Sequence, residues 1–342
     1  DRKLGRDHAK ALFAQSVMGA EFVRARATAM DGVIQGEGRL QVLRYNAPDQ
    51  LQRQSDYMNK VHDRRYFVLS REQLAAELTS DTYHHALFDP DTFTIDPLAY
   101  ALGLKQLLSA QGGVTLFEET PAVKLEKSGA GWLVATPQGS VAAKRVVLTG
   151  SAYLGPLYRP LASAVLPVAT YVVSSAGLGA ALDEAIRFRG AISDTRLASD
   201  YYRRIEQDCL LWGGRITTQQ SQPHRLAELL KRQIVEIYPQ LSHLKIRHAW
   251  SGLMGYAVHK MPIIGELEAG LWSCTAFGGH GLSTTAMGAD MVAAALSDGD
   301  DRWRLFEPFK ARWGGGPAGR AGTQLVYWGM QLKDRWQERR GK

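Results

Sequence analysis

A glycine-rich turn lies between an apolar run and a helical run near the end of this 342-residue chain. Residues 271–296 read LWSCTAFGGHGLSTTAMGADMVAAAL, so LWSCTAF leads through Gly278-Gly279-His280-Gly281 into alanine-rich sequence. A strand that turns tightly into a helix is a unit of nucleotide-binding α/β folds. The glycines leave backbone amides uncovered, and the helix adds unpaired amides and the positive end of its dipole. The sequence therefore predicts an anion-binding corner between Gly278 and Thr284.

This corner does not fit the first turn of a dinucleotide fold. Gly279–Thr284 reads G-x-G-x-x-T, one residue short of the G-x-G-x-x-G pattern. A first turn also needs a second strand that ends in Asp or Glu about 20 residues downstream. Here the helix runs into SDGDDRWRLFEPF, which is polar and then helical. Either the corner serves a cofactor bound mainly by other segments, or its glycines only allow close packing.

The remaining sequence predicts helices and strands in two interleaved groups. Helical patterns cover 8–30, 48–61, 97–110 and 223–238, with a short helix from Asp301 and a last helix from about Gly322. Ser70 and Gln73 predict a capping box. Strands are predicted at GRLQVLRY, VTLFEE, AVKLEK, WLVATP and SVAAKRVVLTG, and β-branched and aromatic residues over 165–213 favour an antiparallel sheet. The fold class is mixed α/β, with one domain inserted into another.

Composition excludes several classes of protein. No run of 18 apolar residues occurs, and the polar start DRKLGRDHAK is unlike a secretory signal. The cysteines, Cys209 and Cys274, predict buried thiols in a reducing compartment, hence a cytoplasmic protein, and no metal site is predicted. Most of the net charge of +7 lies in residues 310–342, which disfavours a nucleic-acid surface. This basic segment is expected to be a solvated face, with a membrane surface, an acidic partner or another subunit as alternatives.

Two long segments resemble a known family. MPIIGELEAGLWSCTAFGGHGLSTTAMGADMVAAAL resembles the C-terminal flavin motif of the glycine/D-amino acid oxidase superfamily of FAD-dependent oxidoreductases. DPLAYALGLKQLLSAQGGVTLFEETPAVKLEK, followed by RVVLTGSAYLG, resembles the middle of the same fold. YYRR, LLWGGRIT, HKMPIIG and the segment from ARWGGGPAGR to YWGMQLKD resemble the gamma-glutamylputrescine oxidoreductase branch. The resemblance implies an enzyme with FAD as its cofactor.

The family begins with a βαβ unit that carries G-x-G-x-x-G and an acidic ribose ligand, and this unit is not in the sequence. We therefore expect a discontinuous Rossmann-like FAD-binding domain, without its first βαβ unit, formed by 1–35, 93–160 and 258–310. An inserted antiparallel-sheet substrate domain is expected from 36–92 and 161–257, followed by a basic tail with a helix at 311–342. Such a chain is expected to be a fragment that binds FAD weakly alone. It would pair with a chain that supplies the missing segment, or form a homo-oligomer.

The resemblance also assigns cofactor contacts. The backbone of Val123 would touch adenine, and Thr149 and Gly150 would pack beside FAD, although each also fits an ordinary strand or strand end. The corner would stabilise the negative charge of reduced flavin through Gly278, Gly279, His280, Gly281, Leu282, Ser283 and Thr284. His280 would donate through its ring, or else serve only as a turn residue.

Five residues are predicted on the substrate side: Tyr202, Arg203, Tyr256, His259 and Lys260. Amino acid oxidases of the superfamily often place an Arg shortly before the Pro-x-Ile-Gly step, where it pairs with the substrate carboxylate. Between Ser251 and Pro262 this chain has no Arg, and the basic residues in this segment are His259 and Lys260. We therefore expect oxidation of a small-molecule amine, or of an amino acid derivative such as gamma-glutamylputrescine, in polyamine metabolism. A non-catalytic subunit is the alternative, and a nicotinamide dehydrogenase ranks last because no complete fingerprint exists.

Overall fold

A computed structural model describes residues 3–196, 199–218 and 223–340, and these residues form a mixed α/β fold. The helices are α1 Arg6–Thr28, α2 Pro48–His62, α3 Arg71–Glu77, α4 Pro97–Gln111, α5 Arg159–Ala164, α6 Ala180–Ala185, α7 Pro223–Ile237, α8 Gly281–Asp298 and α9 Gly316–Arg340. The strands are β1 Ile34–Leu43, β2 Phe67–Leu69, β3 His85–Ile95, β4 Lys124–Ser128, β5 Gly131–Thr136, β6 Gly139–Ala143, β7 Val146–Leu148, β8 Leu166–Ser175, β9 Ala191–Asp194, β10 Tyr201–Ile205, β11 Cys209–Thr217, β12 Ile246–Tyr256, β13 Ile263–Glu268 and β14 Leu271–Thr275.

The chain divides into two compact units. The first unit comprises Asp1–Met30, Leu98–Val168 and Leu253–Arg320. The second unit comprises Asp31–Pro97, Ala169–Gly252 and Ala321–Lys342. Each unit is therefore assembled from three separate stretches of sequence. The segment predicted as a basic tail, 311–342, is divided between the two units at residue 320.

The first unit contains two three-stranded sheets. One has the order β13-β14-β7, in which β14 is antiparallel to β13 and parallel to β7. The other is the antiparallel meander β4-β5-β6. All five residues of β14 are buried, as expected for a strand that is covered on both faces. Among the described residues, β7 and β13 are the two edge strands of their sheet.

Two glycines allow helix α8 to approach its neighbours closely. A Cβ added to Gly19 of α1 would lie 2.3 Å from the carbonyl oxygen of Ser283. A Cβ added to Gly288 of α8 would lie 2.9 Å from Cys274 Sγ and 2.9 Å from Phe277 Cζ. These are closer than side chains tolerate, so glycine at both positions lets α8 pack between α1 and β14. This packing fixes the position of the first turn of α8.

The second unit is built on an eight-stranded sheet with the order β12-β8-β11-β10-β9-β1-β3-β2. Strand β9 is parallel to β1, whereas the pairs β1–β3, β2–β3, β9–β10, β10–β11 and β8–β11 are antiparallel. The ring of Tyr202 stacks on Trp212 with ring centroids 4.0 Å apart, and its hydroxyl hydrogen-bonds those of Tyr83 and Tyr238. These rings form part of the core of this unit.

One predicted local feature is confirmed, and three predicted elements differ from those observed. The capping box is confirmed, because Gln73 N–H donates to Ser70 Oγ at 3.2 Å and Ser70 N–H donates to Gln73 Oε1 at 2.9 Å. VTLFEE is not a strand, and Val114, Leu116 and Phe117 are exposed. The short helix after Asp301 is a 3₁₀ segment, Arg302–Phe306, and the last helix begins at Gly316 rather than Gly322.

Candidate functional site

The glycine corner follows the carboxyl end of β14 in the β13-β14-β7 sheet of the first unit. Because β7 and β14 are parallel, their carboxyl ends meet at the same edge, which is where open α/β sheets bind ligands. The backbone N–H of Ser151 donates to Thr275 Oγ1 at 3.0 Å. This bond joins the exposed Thr149–Gly150 segment after β7 to the end of β14. Two of the predicted cofactor segments are therefore brought together.

Tyr256 reaches the corner from the end of β12 and shapes it. Gly278 has a φ of 63°, and an added Cβ would lie 2.4 Å from the Tyr256 ring, so only glycine fits there. The N–H of Gly279 donates to the Tyr256 hydroxyl oxygen at 2.9 Å. The Gly279 amide is therefore bound by the protein itself. Burial raises the pKa of Tyr256, so the hydroxyl keeps its proton at neutral pH.

The first turn of α8 is open. The helix begins at Gly281 and its N-cap residue, His280, makes no side-chain cap hydrogen bond. The amides of Gly281, Leu282 and Ser283 have no acceptor within the helix, as in the first turn of any α-helix. Around Gly281, the nearest atom to an added Cβ is Thr285 Cγ2 at 4.0 Å. Thr284 Oγ1 donates back to His280 O at 2.6 Å, so its hydroxyl stabilises the turn itself.

A cavity of about 740 Å³ lies beside this turn, entirely within the first unit. Four predicted site residues line it, namely His259, Lys260, His280 and Thr284. Three residues of helix α1 also line it, namely Leu12, Phe13 and Ser16. Sequence reasoning did not assign these three residues to the site. Their helical spacing on one side of α1 was the only available signal, and it is also the signal of an ordinary core face.

His259 is fixed in a neutral form by its surroundings. Its Nδ1 accepts the N–H of Met261 at 3.2 Å, so the proton of the ring lies on Nε2, which is 3.2 Å from the carbonyl oxygen of Lys310. Burial is the main reason that the pKa of His259 is lowered. Lys260 follows with a φ of 61°, and its side chain is exposed at the cavity. The cavity therefore presents a neutral imidazole next to an ammonium group.

The other predicted residues lie elsewhere. Val123 precedes β4, where its N–H donates to Ala135 O at 2.8 Å and its side chain is exposed. Tyr202 and Arg203 belong to the second unit. Tyr202 is buried in the aromatic core, whereas Arg203 is half-buried and donates to Ile95 O at 2.8 Å. Burial lowers the pKa of Arg203, and the carboxylate of Asp96 opposes that shift.

Comparison with known proteins identifies several relatives. The chain is 30% identical to the probable oxidoreductase OrdL of Rhizobium meliloti (strain 1021) over 214 residues, which are 63% of this chain and 50% of the relative. It is 25% identical to the gamma-glutamylputrescine oxidoreductase of Escherichia coli (strain K12), with 90% of this chain and 72% of that protein covered. The chain spans about half the length of the OrdL relatives that it matches.

Solved structures show the same fold at low sequence identity. Glycine oxidase from Bacillus cereus ATCC 14579 has a TM-score of 0.72 at 17% identity, with 86% of this chain and 83% of that chain covered. L-proline dehydrogenase from P. horikoshii has a TM-score of 0.71 at 17% identity, with 87% and 84% covered. A family model described as "FAD dependent oxidoreductase" matches residues 4–295. The chain therefore belongs to the DAO family of FAD-dependent oxidoreductases.

Proposed function

We propose that this chain forms the greater part of an FAD-dependent oxidoreductase that oxidises a C–N bond of an amine or an amino acid derivative. The observation that carries the proposal is the first turn of α8. It has no side-chain cap, begins with an uncovered glycine and lies beside a cavity of about 740 Å³. A helix N-terminus of this kind favours a negatively charged group.

The residues present fit one part of a flavin and leave another part without a partner. The amides of Gly281, Leu282 and Ser283 suit an electron-rich ring edge, because the helix gives them no acceptor. The Gly279 amide does not contribute in this way, since Tyr256 binds it at 2.9 Å. The one G-x-G-x-x-G match, GGGPAG at 314–319, does not follow a strand and so lacks the context of a pyrophosphate-binding turn. We therefore expect the chain alone to bind flavin weakly, and a segment from another chain, or a longer form of this one, to strengthen binding.

The residues of this chain would hold and position the reactants. When bound, flavin supplies the hydride acceptor for the carbon next to the substrate nitrogen. The open amides and the dipole of α8 would stabilise negative charge at the ring edge. Tyr256 would hold the corner rigid by accepting from Gly279, and its own hydroxyl proton remains available for a further hydrogen bond. His259, held neutral, would add no positive charge to that of Lys3, Lys260 and Arg312, which line the same cavity.

The substrate class is argued from the segment before the Pro-x-Ile-Gly step, and Arg312 lines the cavity from a different part of the chain. Between Ser251 and Pro262 the chain offers His259 and Lys260 but no Arg. A bidentate clamp for an α-carboxylate is therefore not provided by this segment, which favours an amine or a compound such as gamma-glutamylputrescine. The similarity to the gamma-glutamylputrescine oxidoreductase of Escherichia coli supports this choice, and with it a role in polyamine metabolism. Tyr202, Arg203 and Val123 stay predictions, as does cytoplasmic location.

A flavin titration with matched variants tests the proposal. Gly281→Asp places a carboxylate at the first position of α8, where the backbone φ of −65° accepts any residue and the dipole stabilises an acid. The variant should therefore fold at least as well as the parent chain while repelling an electron-rich ligand. Gly281→Ala is the control for steric bulk. FAD fluorescence quenching should show tighter binding to the parent and the alanine variant than to the aspartate variant.

Two results would contradict the proposal. Equal FAD affinity for the parent, alanine and aspartate variants would show that the first turn of α8 does not face the flavin. Oxidation of simple D-amino acids, without any turnover of gamma-glutamylputrescine, would reject the substrate class while leaving the cofactor site intact. Turnover should be measured both with the chain alone and after addition of a βαβ segment taken from the Escherichia coli relative.

A further inference from the structure

Helix α9 is amphipathic in the opposite sense to an ordinary surface helix. Surface helices of globular proteins usually turn their apolar stripe towards the core. In the part of α9 that belongs to the second unit, polar side chains face the protein instead. Gln324 Oε1 accepts from Thr217 Oγ1 at 3.0 Å and from the Thr218 N–H at 2.9 Å. Asp334 is buried, and Glu338 pairs with Arg44 Nε at 3.0 Å.

The apolar residues of the same helix face outward. The exposed fractions are 62% for Leu325, 54% for Trp328, 66% for Leu332 and 53% for Trp336. These positions are spaced by three, four and four residues, so the side chains lie along one stripe of the helix. We call these four residues the outer stripe. The polar contacts of Gln324 and Glu338 hold the helix in this orientation from the other side.

The charges on α9 are segregated in the same way. Its two acidic residues are Asp334, which is buried, and Glu338, which is partly buried against Arg44. Lys333, Arg335 and Arg339 are exposed. At 100° per residue, Lys333 and Arg335 lie on opposite flanks of the outer stripe, and Arg339 lies in line with the stripe, about one turn beyond Trp336. The outward side of this helix is therefore apolar along its centre and positively charged along its margins and at its C-terminal end.

We propose that the outer stripe of α9 binds the surface of an anionic lipid bilayer. Tryptophan and leucine on one face with lysine and arginine alongside is the pattern of helices that lie in the membrane interface. Tryptophan favours that depth because its ring is apolar and its N–H is polar. The uniform positive charge of the margins is complementary to phospholipid head groups. Within the described residues no helix is long and apolar enough to span a bilayer, so the contact is peripheral.

Vesicle flotation of the full chain tests this inference, which does not depend on flavin binding. One set of vesicles contains phosphatidylcholine with phosphatidylglycerol, and the other contains phosphatidylcholine alone. The chain should float with the anionic vesicles, and added salt should weaken its binding. Trp328→Ser combined with Leu332→Ser should lower partitioning by about tenfold or more. Lys333→Gln combined with Arg339→Gln should lower it to a similar extent on anionic vesicles.

The controls distinguish binding through the outer stripe from nonspecific adsorption of exposed apolar side chains to vesicles. Phe67→Ser removes an exposed aromatic side chain from β2 of the same unit and should leave flotation unchanged. All the substituted side chains are exposed, and circular dichroism should confirm that each variant is folded. If the chain floats with neither the anionic nor the neutral vesicles, the inference is wrong. Self-association in sedimentation velocity that the Trp328 and Leu332 substitutions abolish, without any vesicle binding, would assign the face to a second copy of the chain instead.

Discussion

Replacement of Gly19 by alanine should destabilise the first unit, although alanine is the better helix former. The added Cβ would lie 2.3 Å from the carbonyl oxygen of Ser283, 2.8 Å from Met287 Cβ and 2.9 Å from Met287 N. Two of these atoms belong to the backbone and cannot rotate away, so helices α1 and α8 would have to separate. Overpacking of this kind costs about 1–3 kcal/mol, and the backbone contact favours the upper end. The higher helix propensity of alanine relative to glycine offsets about 1 kcal/mol of this cost. The expected net loss is about 2 kcal/mol.

Gly281→Ala is the matched control in the same unit. Its added Cβ meets nothing closer than Thr285 Cγ2 at 4.0 Å, so we expect no loss of stability. Urea unfolding without FAD gives the difference in free energy. Hydrogen exchange measured by mass spectrometry should show faster exchange in α1 and α8 of the Gly19 variant only. If Gly19→Ala and Gly281→Ala were equally stable, the close crossing of α1 and α8 would be incorrect.

Three further predictions each concern one side chain, namely Ser70, His259 and Cys274. Ser70→Ala should cost about 1 kcal/mol in urea unfolding, because Ser70 Oγ accepts the Gln73 N–H at the start of α3; equal stability would argue against the capping box. The pKa of His259 is lowered from 6.5, so the unfolded chain takes up a proton before the folded chain does. Stability should therefore fall as the pH drops below about 6.5, and less steeply in His259→Asn; identical slopes would contradict this. Burial raises the pKa of Cys274 to about 12, so iodoacetamide at neutral pH should modify it only after unfolding, as peptide mass spectrometry would detect.

The sequence predicts those features that depend on neighbouring residues. The capping box is an example, because Ser70 and Gln73 are three positions apart and satisfy each other's backbone groups. The strand–turn–helix at the glycine corner is likewise a local pattern, and the structure contains it as β14 followed by α8. Helix α1 was predicted at 8–30 and extends from Arg6 to Thr28, a difference typical of helix ends.

Features that depend on distant contacts were missed. VTLFEE has the composition of a strand, but its apolar side chains are exposed, since composition does not determine whether a neighbouring strand is available. The last helix was predicted from about Gly322, yet Gly319 N–H donates to Gly315 O at 3.0 Å and α9 begins at Gly316. The contact of Tyr256 with Gly279 depends on the bridge between Tyr256 and Phe277, more than 20 residues apart in sequence, which no local pattern could predict.

The edge position of strand β7 has a practical consequence for handling the protein. Val146 N–H donates to Gly270 O on the β14 side at 2.9 Å, so the N–H of the next residue, Val147, points towards the outer edge. Unpaired edges of this kind recruit strands from other molecules. In concentrated preparations the protein should therefore aggregate by strand addition at β7. Val146 packs against the buried cluster that contains Leu148 and Leu271, so a charged side chain there would destabilise the unit, and pairing the edge with an added strand is the better way to keep the protein dispersed.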